Sequence, residues 1–311
     1  MKLSIKNPKL PSYLGLAMVV LVWGSAPLFT LKLYEYYSPT IRLFFSETVL
    51  VITYLIISGK RIKDFNMNYI KVGIPTGLFL AFANITQKIG LFYTTPTKYA
   101  FLENLSCITV PITLFILTGK KIKPHVMLSC IICFLGVFIL SGTFADDTSS
   151  LGLGEILCGA AGLLYGFNIA GTGLYAKKLY APLYLAVQST VGMITSLAFA
   201  LVLNSVTSPL SGNTVPLEKL VFSFDPRHML FVILVAVITS SICWIIRTNS
   251  MKHIDASVVA VISPFSAVIT GILSVITGSD TLNINLILGG VLVLGSIFMS
   301  SYDDIFHKAT D

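Results

Sequence analysis

Lys88 and Glu103 stand on either side of the turn at 93–97 in the stretch NITQKIGLFYTTPTKYAFLEN, residues 84–104, inside runs otherwise apolar enough for a membrane interior. Lys88 lies five residues before that turn and Glu103 six after it. At a rise of about 1.5 Å per residue, both charges sit roughly 7–9 Å below the surface. An unpaired charge at that depth is costly, so a mutual ion pair is the expected arrangement. Such a pair can hold a zwitterionic solute, whose carboxylate meets Lys88 and whose ammonium meets Glu103, with Gln87 and Asn104 as neutral hydrogen-bonding groups. It can equally act as a structural staple between two helices. Glu103 is also a candidate carrier of a coupling proton. Lys98, nearer the turn, is assigned to the water interface.

Other polar and aromatic residues recur at helical spacing. Gly77, Ala81, Asn84 and Lys88 form one stripe, Ala100, Asn104, Cys107 and Pro111 a second, and Ala161, Tyr165, Asn168 and Thr172 a third. Ionisable side chains avoid lipid, so the polar members are expected to face a pathway, while the small ones also permit close helix packing. Trp23, Tyr165 and Trp244 fall deep in apolar runs, away from the interfaces where such rings collect, and could wall a pocket for organic solutes or simply pack. Ser263 and Pro264 interrupt another run; a proline there removes a backbone donor and bends the helix, as a gating hinge or as a static kink. Arg42 reads as an anchor snorkelling to water and Arg247 as an inner-face topology residue, while the partner of Glu47 is not legible.

These residues need elements to position them, and composition says which. The chain has 311 residues, 55% of them hydrophobic and 11% charged, against roughly 25% charged in a soluble domain. Ten apolar runs have lengths near the roughly 20 residues that cross a bilayer: 13–32, 39–58, 71–92, 98–118, 125–142, 152–173, 183–204, 229–248, 256–277 and 284–302. The expected fold is an all-α integral membrane protein. The first run is not a secretory signal, because it continues past Trp23 to Leu31 without a small-residue cleavage site. Fifteen of the 21 Lys and Arg residues fall on segments that a cytoplasmic N-terminus would leave inside, among them Lys2, Lys6, Lys9, Lys60, Arg61, Lys120 and Lys121. Both termini are therefore expected in the cytoplasm, with 143–151 and 205–228 outside. The net charge of +7 is on this reading a topology signal rather than a nucleic-acid footprint. The Cys130–Cys133 pair sits within LSCIICFLGVFIL and reads as packing rather than as a redox or metal motif.

A shift of 159 overlays residues 119–142 on 278–301, pairing Gly119 with Gly278, Gly136 with Gly295 and Ser141 with Ser300. A shift of 160 pairs Ala100 with Ala260, and a shift of 142 pairs Trp23-Gly24 with Tyr165-Gly166. Two halves of five spans each must enter the membrane from opposite sides, which makes an inverted repeat. The expected organisation is a tail at 1–11, a first repeat at 12–142, an outer linker at 143–151, a second repeat at 152–302 and a tail at 303–311.

VWGSAPLF in the first span, SPTIRLFFSE opening the second, QKIGLFYTTPTKYAFLENLSCITVPITLFILTGKKI across the third and fourth, and IDASVVAVISPFSAVITGILSVITG followed by LGGVLVLG resemble the drug/metabolite transporters with paired EamA domains. The resemblance implies a central cavity lined largely by spans 1, 3, 4, 6, 8 and 9, and amino acids or similar polar metabolites as cargo. The family commonly carries small or neutral residues where Glu47, Lys88 and Glu103 stand, so a relative's substrate does not transfer to this chain. The expectation is a secondary transporter in the plasma membrane that moves a small polar metabolite outward by alternating access, without a cofactor or metal, its coupling ion unread. A channel, or an intramembrane enzyme acting on a lipid-linked substrate, is the alternative. The chain lacks GxxxxGK[ST], HExxH and GxSxG motifs, which disfavours a nucleotide-driven pump and the commonest hydrolases.

Overall fold

The computed structural model describes residues 9–94, 96–119, 121–140, 152–205, 220–277 and 284–301. The segments 141–151, 206–219 and 278–283, most of both tails, and the side chain of Ala100 lie outside the described residues. In the first half, α1 (Leu10–Leu33), α2 (Pro39–Ser58) and α3 (Met67–Tyr93) are followed by α4 (Pro96–Glu103), α5 (Ser106–Thr118) and α6 (Pro124–Leu140). In the second, α7 (Leu153–Tyr175) and α8 (Ala181–Ser205) precede α9 (Pro226–Val235), which runs through a π-helical stretch (Ala236–Ile242) into α10 (Cys243–Ser250). The described chain closes with α11 (Ala256–Ile262), α12 (Phe265–Ile276) and α13 (Ile284–Ser300).

Helix ends follow local chemistry. Asn66 accepts from Asn68 N at 3.0 Å to start α3, Asp225 accepts from Arg227 N at 2.8 Å to start α9, and Pro39 occupies the first turn of α2. Gly59 and Gly119 end α2 and α5 at φ of 48° and 66°, where a side chain would be strained.

Among the described residues, seven helical segments are long and apolar enough to cross a membrane, and α5, α6 and α13 are shorter apolar helices. Large apolar side chains such as Ile56, Ile116 and Ile276 point outward, while the interior mixes large apolar residues such as Leu33, Ile85 and Leu91 with small and polar ones. An apolar outer face suits a lipid surround, which solvates such side chains, and small residues let helix backbones approach.

Helix α7 illustrates the inner packing. Gly154, Cys158, Gly162 and Gly166 recur every fourth residue along one face. A Cβ at Gly154 would stand 2.8 Å from the Tyr93 carbonyl oxygen of α3, one at Gly162 would overlap the Leu102 carbonyl of α4, and one at Gly166 would overlap Thr109 Cβ of α5. Helix α7 therefore carries α3, α4 and α5 on a nearly bare backbone ridge. Helix α1 meets α12 in the same manner, a Cβ at Gly24 standing 2.5 Å from Ile269 Cβ and 2.8 Å from Ser266 O. Elsewhere α2 lies along α8, α6 along α13, and α1 also packs on α10. The thiols of Cys107 and Cys133 reach the carbonyls of Cys130 and Val261 at 3.8 and 3.7 Å, and with Cys130 they are fully buried in an apolar core.

Two helices are broken. Helix α4 stops at Glu103 and α5 starts at Ser106; α11 stops at Ile262 and α12 starts at Phe265. A shift of 159 carries the first break onto the second.

Candidate functional site

Both breaks open onto one cavity of about 130 Å³. From α3 come Asn84, Gln87 and Lys88; the first break contributes Glu103, Asn104 and Ser106, and the second Ser263 and Ser266. Trp23 of α1, Tyr99 of α4, Tyr165 of α7 and Trp244 of α10 form the aromatic part of the wall. Nine of the ten pathway residues expected from the sequence thus line a single space. Pro264 lies at the second break, beside it.

Asn168 is elsewhere. Its Nδ2 donates to the Thr76 carbonyl at 2.9 Å, next to a buried network in which Tyr184 and Gln188 both reach Thr76 Oγ1 (2.8 and 2.9 Å) and Thr172 meets Tyr184 OH at 2.9 Å. These bonds tie α7 and α8 to α3 away from the cavity. The stripe on α7 continues one helical face past the cavity and into this contact, so periodicity alone could not separate Asn168 from Tyr165. The other stripes divide similarly: Gly77 packs on Gln188 and Val191 of α8, and Cys107 faces α6 rather than the cavity.

The polar wall is a connected chain. Glu47 Oε1 accepts from Asn84 Nδ2 at 3.2 Å, Tyr165 OH lies 2.6 Å from Asn84 Oδ1 and 2.9 Å from Gln87 Oε1, and Lys88 Nζ donates to Gln87 Oε1 at 2.7 Å. A carboxylate on α2 is thereby linked to an ammonium on α3 through two amides and a phenol. The phenol has one proton for two acceptors, and Gln87 Oε1 also takes the Lys88 ammonium, so the phenol proton serves one amide at a time. Among the described residues, the expected direct ion pair between Lys88 and Glu103 is not formed. Lys88 turns to the adjacent amide, and Glu103 stands among Lys88, Tyr99 and Gln87 as a charged neighbour. Equal depth in the membrane does not bring two side chains together when neutral groups fill the space between them. Lys98 reaches Glu155 at 3.8 Å with about a quarter of its side chain exposed.

Two expectations are corrected by burial. Arg42 does not snorkel: it is 5% exposed and lines the cavity. Arg247, expected at the inner face, is 3% exposed and also lines the cavity, its Cζ 5.4 Å from the Trp23 ring centre and 4.8 Å from that of Trp244. The two indoles lie 5.5 Å apart, and Trp23 Nε1 donates to the Thr239 carbonyl at 2.8 Å, within the π-helical stretch. Glu47 also lines the cavity, 5% exposed, with Gly192 of α8 so close that a Cβ there would stand 2.9 Å from its Cδ. The signal for all three was in the sequence, as charges a few residues inside apolar runs. What was missing was the sign of their orientation, outward to water or inward to a cavity.

Long apolar helical segments around a polar interior cavity mark an integral membrane protein. The family model described as EamA-like transporter family matches residues 10–142 and 152–302, and the chain belongs to that family. No curated protein matches it. Solved structures do: one crystal structure, 15% identical in sequence, covers 94% of this chain and 96% of its own with a TM-score of 0.70, which shows likeness of fold alone.

Proposed function

We propose that the protein is a secondary transporter of a small polar organic metabolite, working outward across the plasma membrane by alternating access, from ten spans arranged as inverted repeats at 12–142 and 152–302. The observation that carries this reading is the repeat-related geometry around the cavity. Gly24 beside Trp23 receives the second broken helix, and Gly166 beside Tyr165 receives the first. Trp23 hydrogen-bonds to the π-helical stretch that leads into α10, while Tyr165 bonds to α3, and α1 and α7 are counterparts under the shift of 142. Two halves that grip each other through matching contacts about a central site have the form that can rock between two openings. The broken helices supply bending points at the site itself.

Counterflow in proteoliposomes across a panel of metabolites tests the proposal. A carrier accelerates exchange of labelled solute and saturates; a channel gives neither. Silence across the panel would sink the transport reading. Orientation has its own test: in a cysteine-free background, cysteines at 147 and 212 should react with an impermeant thiol reagent in intact cells, while one at 62 should be protected.

A further inference from the structure

The cavity holds more cationic than anionic charge, and two of its cations have no counter-charge of their own. Arg42, Lys88 and Arg247 face Glu47 and Glu103, three against two. Glu47 accepts from Asn84, and Glu103 lies between Lys88 and Arg247 within hydrogen-bonding surroundings made by Tyr99 and Gln87. Arg42 makes no side-chain hydrogen bond or ion pair among the described residues, and its buried Nε has no partner. The Nε of Arg247 is likewise buried without a partner. Its guanidinium is held by the faces of Trp23 and Trp244, and aromatic faces position a cation without neutralising it. Arginine stays charged throughout the accessible pH range, so neither residue can relieve its burial by losing a proton. A buried guanidinium with open donors is the group best shaped to take a carboxylate through two parallel hydrogen bonds.

Building on the transport reading, we infer that the solute is a small organic anion carrying one net negative charge, drawn by the guanidinium groups of Arg42 and Arg247 on the cavity wall. One negative charge brings the cavity to neutrality, three cations against two carboxylates and the solute. A neutral zwitterion would leave that imbalance in a low-dielectric site, and a cation would double it. Tyr165, Asn84 and Gln87 line the same cavity and are placed to hydrogen-bond the rest of the solute.

The test uses the full-length protein in proteoliposomes and three isosteric pairs differing in charge: L-aspartate and L-asparagine, L-glutamate and L-glutamine, L-lactate and lactamide. Initial counterflow rates, and in parallel the shift in melting temperature on adding each solute to protein in nanodiscs, should favour the anion of at least one pair by about tenfold or more. Arg42→Gln and Arg247→Gln should each bring that ratio toward one, while Arg42→Lys and Arg247→Lys keep part of it. The parallel melting measurement identifies a variant that has failed to fold, and the ratio for the unaltered protein does not depend on any variant. Transport of an amide as fast as its acid, with no preference for the anion in any pair, would overturn the inference and leave the transporter standing. A preference for anions that survives in both glutamine variants would overturn the assignment to these arginines. Counterflow of none of the six, together with counterflow of some neutral or cationic metabolite from the wider panel, would also overturn it; counterflow of nothing at all would overturn both readings.

Discussion

The two helix breaks share a backbone solution and differ in chemistry. At the first, Leu105 N bonds to Leu102 O (3.2 Å) and Cys107 N to Asn104 O (3.0 Å); at the second, Ser266 N bonds to Ser263 O (3.1 Å) and Ala267 N to Pro264 O (2.9 Å). Both tighten locally and resume, and both are received by a glycine. Yet the first carries Glu103 and Asn104, whereas the second carries Ser263 and Pro264. Around them, Arg42, Glu47, Lys88 and Glu103 all belong to the first half of the chain, and Arg247 is the second half's single Lys, Arg, Asp or Glu on the cavity wall among the described residues. Duplicated halves can thus keep the shape that lets helices cross while their charges diverge. Crossing requires only small residues at the contact, whereas recognition depends on which side chains stand beside it.

Glycine substitutions should break the comparison most severely. Gly24→Leu and Gly166→Leu push side chains into neighbours without space to move, so each should cost at least the upper part of the about 1–3 kcal/mol range typical of overpacking. Thermal melting in detergent should show comparable losses for the two; a large loss at only one would mean the halves are not mechanically equivalent. Next in size is Tyr165→Phe, which strips the phenol from both Asn84 and Gln87 and should cost about 1–3 kcal/mol together with a fall in transport. Trp23→Phe removes one bond to a backbone carbonyl and should cost less by hydrogen-bond loss, though its effect on Arg247 should show in transport. Pro264→Ala sharpens the contrast between the breaks: with substrate binding retained, a slower counterflow rate identifies a hinge, and equal loss of binding and expression identifies a structural kink. The smallest effect belongs to Lys98→Met, which removes a partly exposed ion pair to Glu155 and should change stability by less than about 1 kcal/mol.

The helical segments were legible because lipid leaves a strong mark on composition. The run read at 39–58 coincides with α2, and that at 71–92 falls four residues short of the start of α3, where Asn66 sets the cap rather than apolarity. The break at Ser263–Pro264 was visible as a proline inside an apolar run. The break at Asn104–Leu105 contains no proline, and in the sequence the fourth run reads unbroken over 98–118.

What the sequence determined alone is a membrane protein with a repeated plan and a set of polar residues at helical spacing in its third, fourth and sixth runs. Bilayer thickness and helical periodicity act locally, residue by residue, so they can be read along one dimension. Only the tertiary structure decided that Arg42 and Arg247 turn inward, that Asn168 belongs to a packing network, and that Gln87 takes the ammonium of Lys88. Each of these is a choice between partners on different helices, set by how closely glycine ridges let those helices approach, and no pattern within a single helix contains that distance.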